Sequence, residues 1–136
     1  MVERIIFDGV LHGLVIRRAT GLLVGPGTEF FTPKDEQLQV GRIRRLAGDR
    51  IAPHEHRRKS SVIAHTAEVL VVLSGRARVT FWHGEDFSVR DVQAGDVVVI
   101  YQGGHGLEFT EDTELLEVKQ GPWQDDKVLI QTPKAE

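Results

Sequence analysis

Short apolar runs separated by turn residues make up most of this chain. Residues 69–73 and 97–101 are continuously apolar, which predicts strands buried on both faces, and residues 14–16 predict a further strand. Between residues 76 and 81 apolar and polar side chains alternate, which predicts a half-buried strand. No segment shows sustained helical periodicity. Many short strands with regular turns predict an all-β sandwich or barrel.

Glycine, proline and acidic residues mark the predicted turns. Turns are expected at residues 25–27, 74–75, 83–86, 94–96, 102–104 and 111–112, and Ser74-Gly75 is interpreted as a hairpin. The alternation at Leu38 and Val40 slips across Gly41, which predicts a β-bulge. The last core strand is predicted at residues 115–118 and an extended tail at 128–130. The apolar stretches within residues 5–31 are expected to pair either with the main sheet or with a second subunit.

The composition narrows the chemistry available to the chain. Its 136 residues fit one domain, and a net charge of −3 gives no electrostatic reason to expect nucleic-acid binding. The absence of cysteine excludes thiolate catalysis and cysteine-ligated metals, so histidine and carboxylate would have to hold any metal. No apolar stretch approaches the roughly 20 residues of a membrane helix, and the N-terminus lacks the regions of a signal peptide. A cytoplasmic location without membrane partners is therefore expected.

Four side chains are candidate metal ligands. His54 and His56 are two positions apart, so on an extended strand both imidazoles point to the same face. Glu68 opens the buried apolar run that follows it, where a carboxylate needs a partner. His105 shares the apolar parity of Leu107 in its predicted strand. Converging neutral imidazoles together with a carboxylate suit a divalent cation.

Each candidate also has a purely structural interpretation. An H-x-H pair arises by chance on surface strands, Glu68 could cap a strand or pair with an arginine, and a lone histidine on an apolar face is most often a hydrogen-bonded core residue. The basic run at residues 57–59 is typical of a solvated loop, or alternatively forms a rim that draws in acidic substrates. Arg42 or Arg44 either lies on a solvated strand face or meets an anionic ligand in a cavity.

Two segments carry the pattern of a known family. The first is Gly48, five residues, His54-Glu55-His56, then Glu68, six residues and Gly75; the second is Gly95-Asp96 followed by Gly103-Gly104-His105. These segments resemble the two signatures of the cupin superfamily. The spacing from His56 to Glu68 is longer than usual, which a longer hairpin holding the basic run and His65 would explain. The ending at residues 117–123 also resembles small single-domain bacterial cupins of unassigned activity.

The resemblance implies a double-stranded β-helix, a jelly-roll β-barrel, in a single domain at residues 1–136. The barrel core would cover about residues 36–120, with an N-terminal strand segment at 1–35 and a C-terminal tail at 121–136. The implied ligands of a divalent ion (Zn, Mn, Fe, Ni or Co) are His54, His56, Glu68 and His105. Tyr101 is the leading candidate for proton transfer or substrate binding, and packing at a strand end is its alternative. Small barrels commonly dimerise, and the apolar run at residues 69–73 is consistent with a homodimer.

Three functions fit this pattern. The first is a metal-dependent isomerase, lyase or dioxygenase that acts on a small oxygen-rich molecule such as a sugar, keto acid or diol. The second is a binding module that holds a sugar or another small ligand without chemistry. The third is a metal-free relative whose histidines only pack. The fold does not choose among them, because it hosts many chemistries.

Overall fold

The computed structural model describes residues 1–18 and 25–132. These residues form ten strands: β1 (Val2–Phe7), β2 (Val10–Ile16), β3 (Gly27–Phe30), β4 (Gly41–Arg44), β5 (Glu68–Ser74), β6 (Arg76–His83), β7 (Asp86–Gln93), β8 (Val97–Ile100), β9 (Gly104–Phe109) and β10 (Glu114–Lys119). The predicted all-β class is confirmed over this part of the chain. Its residues include no helix long and apolar enough to cross a membrane. The last four residues of the predicted tail, 133–136, lie outside the described residues.

The chain divides into two compact units. We call residues 1–20 with 65–136 the large unit, and residues 21–64 the small unit. The large unit contains two antiparallel sheets, ordered β1-β2-β8-β5-β10 and β7-β6-β9. After β5 the chain crosses from the five-stranded sheet to the three-stranded sheet, returns at β8, crosses again at β9 and returns at β10.

One hydrophobic core joins the two sheets of the large unit. Its buried members are Ile5, Val15, Leu70, Val72, Val98 and Ile100 from the five-stranded sheet, and Ala77, Val79, Phe81 and Val92 from the three-stranded sheet. Every second residue of β6 contributes, because successive side chains of a strand point to opposite faces. The prediction of a half-buried strand at residues 76–81 is therefore confirmed.

The N-terminal strands belong to the main sheet. β1 and β2 form a hairpin, and β2 continues the sheet by pairing with β8, where Gly13 lies opposite Ile100. Of the two pairings left open for residues 5–31, β1 and β2 show the one with the main sheet, whereas β3 pairs with β4 in a separate sheet. Gly13 allows close packing there, because a Cβ at this position would lie 2.6 Å from a ring carbon of Phe81.

The Ser74-Gly75 turn is not the hairpin that the sequence predicts. β5 pairs with β8 and β10, whereas β6 pairs with β7 and β9, so the chain changes sheets at this turn. Gly75 has a φ of 83°, and a Cβ there would lie 2.2 Å from the carbonyl oxygen of Asp112. The corner therefore needs glycine for both conformation and space.

The last strand of the large unit is an edge strand. Among the described strands, β10 pairs only with β5, and of its apolar residues Leu115 packs against the core. Leu116 and Val118 are 53% and 49% exposed. The predicted strand at residues 115–118 is present. Only one of its two faces contributes to the core, because none of the described strands packs over the other face.

In the small unit, β3 and β4 form a two-stranded sheet. β4 begins at Gly41, and residues 37–40 form no strand, so the predicted bulge at Gly41 is wrong. Within β4, Ile43 is exposed whereas Arg42 is half-buried, with its guanidinium 5.7 Å from the centre of the Phe31 ring. Stacking on an aromatic ring gives an arginine side chain a favourable position that apolar parity does not anticipate.

Candidate functional site

Glu68 and His105 meet within the large unit. Glu68 is the first residue of β5 and lies opposite Ile100 of β8, on the face of the sheet that forms the core. His105 lies on β9 opposite the core residue Phe81. The Nε2 atom of His105 is 3.1 Å from Oε2 of Glu68. Two residues from separate predicted motifs, on different sheets, are therefore brought into direct contact.

Each member of this pair changes the protonation of the other. The hydrogen bond from His105 lowers the pKa of Glu68, against the opposing effect of burial. The hydrogen bond to Glu68 likewise raises the pKa of His105, although burial acts to lower it. The side chains are only 15% and 28% exposed, so solvent screens their attraction less than at an open surface. Each member of the pair therefore favours the charged form of the other.

Two further groups hold the pair in place. Nζ of Lys119 lies 3.5 Å from Oε1 of Glu68, because Lys119 is opposite Glu68 in the pairing of β10 with β5. The Nδ1 atom of His105 lies 3.3 Å from the carbonyl oxygen of Gly103. A carbonyl only accepts, so Nδ1 carries a proton and Nε2 is the nitrogen that faces the carboxylate.

The separation of these atoms suits two ligands of one cation. With metal–ligand distances of about 2.0–2.2 Å, neighbouring nitrogen and oxygen ligands lie roughly 3.0–3.4 Å apart. The 3.1 Å between Nε2 and Oε2 falls within that range. Metal-ligating histidines also commonly donate their second N–H to a backbone carbonyl, as the contact of Nδ1 with Gly103 would allow.

His54 and His56 lie in the small unit, in a segment without a strand. The predicted extended strand is therefore wrong here. Pro53 lacks an N–H, and the sequence after it is exposed and highly charged, so it has no apolar face to bury. Even so, the two ring centroids lie 5.1 Å apart. Nδ1 of His54 is 2.8 Å from the carbonyl oxygen of Ala52, which leaves Nε2 as the available nitrogen of the neutral ring.

The predicted ligands thus form two pairs, one in each unit. Within its described residues, neither unit gathers three or more histidine, aspartate or glutamate side chains in a group that could hold a metal ion. The complete set of four ligands stays a prediction.

Tyr101, the predicted site residue outside the ligand set, follows the last residue of β8. Its side chain is 5% exposed, and its backbone N–H donates to the carbonyl oxygen of His12 over 2.8 Å. This position agrees with the structural alternative of packing at a strand end. Its role in proton transfer stays a prediction.

The sequence patterns did not identify a second group of histidines, His12 and His83. His12 is 4% exposed, and its ring lies 5.0 Å from the rings of both Phe7 and His83, measured between centroids. His83 is exposed, and its Nε2 lies 3.0 Å from a carboxylate oxygen of Asp8. The sequence did contain one signal of this group, because His12 lies inside the apolar strand β2. Its partners Phe7 and His83 could not be predicted, since they belong to other strands. Lys119 beside Glu68 was missed for the same reason, since only strand register brings it there.

Comparison with protein-family models, with curated proteins and with solved structures finds no match. The function therefore has to be inferred from the residues and their geometry.

Proposed function

We propose that this chain binds a divalent metal ion through Glu68 and His105, with His54 and His56 completing the ligand set. The observation that carries the proposal is the 3.1 Å contact between Nε2 of His105 and Oε2 of Glu68. The first cupin-like motif supplies the carboxylate and the second supplies the imidazole. His54 and His56 are included in the proposed ligand set because of the resemblance to cupins and because their rings lie close together.

The residues around this pair prepare it for a cation. Glu68 is ionised because His105 and Lys119 lower its pKa, and an anionic carboxylate is the form that binds metal. The carbonyl of Gly103 keeps a proton on Nδ1 of His105, which aims Nε2 at the carboxylate. A bound cation would take the place of the proton on Nε2, so metal binding releases a proton.

We further propose that the large unit follows the double-stranded β-helix arrangement of the cupin family. In support, consecutive strands from β5 to β10 change sheets four times, and strands remote in sequence become neighbours. This winding is typical of jelly-roll folds, where ligands bind between the sheets. It also explains how Glu68 and His105 can face one another from different sheets.

The activity that we propose is that of an enzyme acting on a small oxygen-rich molecule, such as a sugar, keto acid or diol. A bound divalent ion would polarise a carbonyl or acidify a bound water. In this chain Glu68 and His105 would hold that ion, and Lys119, 3.5 Å from Glu68, would add positive charge beside it. Tyr101 remains the proposed residue for proton transfer.

The test is the metal content of protein purified without a histidine tag. Wild-type protein is expected to retain about one equivalent of a divalent ion after dialysis, and retention should fall as the pH is lowered because protonated imidazole cannot bind metal. Glu68→Gln, His105→Ala and the double substitution His54→Ala with His56→Ala should each lose it. His65→Ala is the matched control, since this histidine is exposed and lies outside the proposed set.

Equal metal content in the wild type and all these variants would refute the proposal. If metal is retained as expected, the loaded protein should convert a sugar, keto acid or diol from a panel, monitored by NMR. Ligand binding without conversion would instead assign the binding-module function.

A further inference from the structure

The segment at residues 41–59 concentrates positive charge in the small unit. It contains seven of the chain's 17 lysines and arginines but only two of its 20 acidic residues, although the whole chain has a net charge of −3. The basic residues are Arg42, Arg44, Arg45, Arg50, Arg57, Arg58 and Lys59. Clustered charge of one sign raises the local concentration of counter-ions, so this segment attracts anions.

A surface cavity lies between this basic segment and the start of β3. Its volume is about 260 Å³, and it is lined by Pro26, Gly27, Arg45, Asp49 and Arg50. The pairing of β3 with β4 forms it, because Gly27 at the start of β3 lies opposite Arg44 at the end of β4. That register places the turn before β3 next to the segment after β4.

The two arginines of the cavity have donors available. Arg45 donates from Nη1 to the carbonyl oxygen of Arg44 over 2.9 Å and from Nη2 to Oγ1 of Thr28 over 3.1 Å. These bonds orient its guanidinium while leaving other N–H groups for a ligand. Arg50 forms no hydrogen bond or ion pair with any residue in the described parts of the chain.

Asp49, the acidic residue of the cavity, is engaged in its own turn. Its Oδ2 accepts the backbone N–H of Leu46 over 2.8 Å, and its own N–H donates to the carbonyl oxygen of Leu46 over 3.0 Å. It forms no ion pair with Arg45 or Arg50. The carboxylate therefore closes the turn between the two arginines and leaves their N–H groups unoccupied by it.

We propose that this cavity is a binding site for an oxyanion, the phosphate or carboxylate group of a small molecule. Planar guanidinium groups match both groups with paired hydrogen bonds, and two of them can hold one oxyanion from two directions. The site lies in the small unit and uses none of the proposed metal ligands, so it is independent of the metal-binding function.

The test compares two charge-matched double variants of the full chain. Inorganic phosphate and succinate are titrated into wild-type protein by calorimetry at about 0.15 M salt, where the Debye length is about 8 Å and distant charges are screened. Substituting Arg45→Gln with Arg50→Gln should weaken binding at least about tenfold, because charge-assisted hydrogen bonds are lost. Substituting Arg57→Gln with Arg58→Gln removes the same charge outside the cavity and should change affinity less than about twofold.

Preference for phosphate or for succinate tells which oxyanion the site takes. Equal weakening in both double variants would overturn the proposal, since the attraction would then be diffuse charge. Failure of the wild type to bind either anion with a Kd below about 10 mM would also overturn it. A second measurement uses the wild-type protein alone, so it does not depend on whether the variants fold. On phosphate addition the Nε–H resonances of Arg45 and Arg50 should shift, while those of Arg57 and Arg58 stay in place.

Discussion

Glu68 and His105, 37 positions apart in the sequence, form a hydrogen-bonded pair across the space between two sheets. Glu68 also faces Lys119, so its carboxylate lies between two cationic groups. The two neighbours affect His105 in opposite directions, because Glu68 raises the pKa of the imidazole whereas Lys119 and burial lower it. The site can therefore be examined through one titrating ring.

The pKa of His105 in chelator-treated protein should be higher than the ordinary value of 6.5. Replacing Glu68 with glutamine removes the charge that favours the imidazolium while burial remains, so the pKa should fall to the ordinary value or below it. The measurement is the pH titration of the imidazole Hε1 resonance by NMR.

Lys119→Gln provides the opposing control. Removing a positive charge near His105 should raise the pKa of His105 further, so the two substitutions must shift the same resonance in opposite directions. A shift of equal sign in both variants would contradict the described contacts. The sign for stability follows from both members of the pair. Because the pKa of His105 is raised from 6.5, the contribution is lost as the pH rises above about 6.5 and through the folded pKa of His105. Because the pKa of Glu68 is lowered from 4.5, the contribution is also lost as the pH falls below about 4.5 and through the folded pKa of Glu68.

Apolar periodicity predicted most of the fold because it reports burial directly. The strands β5, β6 and β8 were recognisable since their residues face a core on at least one side. Periodicity contains no information on pairing, however. Ser74-Gly75 looks like a hairpin in sequence, but β5 and β6 join different sheets there, and only long-range register determines which strands become neighbours.

The candidate site was likewise predictable only where it depends on sequence pattern and not on strand pairing. Glu68 and His105 were predicted from parity and motif, and the structure brings them together. No strand forms at His54 and His56, because the exposed and highly charged segment around them has no apolar face to bury. Lys119 was not identified, since its place beside Glu68 depends on the pairing of β10 with β5.

Asp96 should be one of the most important polar residues for stability. It is 2% exposed and accepts hydrogen bonds from the backbone N–H groups of Arg18 at 2.9 Å and Gln93 at 3.0 Å, and from Nη1 of Arg17 at 3.2 Å. Asp96→Ala removes the side-chain acceptor of the Arg18 and Gln93 N–H groups, whereas Nη1 of Arg17 keeps the carbonyl oxygen of Asp91. The variant should lower the free energy of unfolding by about 2–5 kcal/mol, measured by urea denaturation.

Asp91→Ala is the control for Asp96→Ala. The Asp91 side chain is 74% exposed and pairs with Arg78, which is itself largely exposed. Exposed ion pairs contribute little, so this variant should unfold at nearly the wild-type urea concentration. A similar loss in both variants would mean that the buried hydrogen bonds of Asp96 do not carry the effect.

Gly13 should not tolerate a methyl group. A Cβ at this position would lie 2.5 Å from the carbonyl oxygen of Val99 and 2.6 Å from the ring of Phe81, so backbone and core would both have to move. Overpacking of this kind costs about 1–3 kcal/mol, and Gly13→Ala should lower the free energy of unfolding by that amount. Gly25→Ala, where a Cβ meets nothing within 4 Å, should change it by less than about 0.5 kcal/mol. Equal stability of the two variants would argue against the close approach of β2 to Phe81.

His12 should make stability depend on pH in the opposite sense to His105. Burial lowers the pKa of His12, the neighbouring His83 and the more distant His65 lower it further, and the carbonyl of Gln102 and the carboxylate of Asp8 act against them. Because the folded pKa is below the unfolded value of about 6.5, its contribution is present above that pH and is lost as the pH falls. Urea denaturation from pH 7.5 to pH 5 should therefore show a loss of stability that is smaller in His12→Gln than in the wild type.

The quantity to compare is the slope of the free energy of unfolding against pH, because His12→Gln also removes packing against Phe7 and lowers stability at every pH. His65→Gln is the control, because this exposed histidine should leave most of the pH dependence in place. Removing His65 should even raise the pKa of His12 slightly, since His65 acts to lower it, and so reduce the slope only a little. Parallel pH profiles for the wild type and His12→Gln would exclude His12 as the group responsible for the loss of stability between pH 7.5 and pH 5.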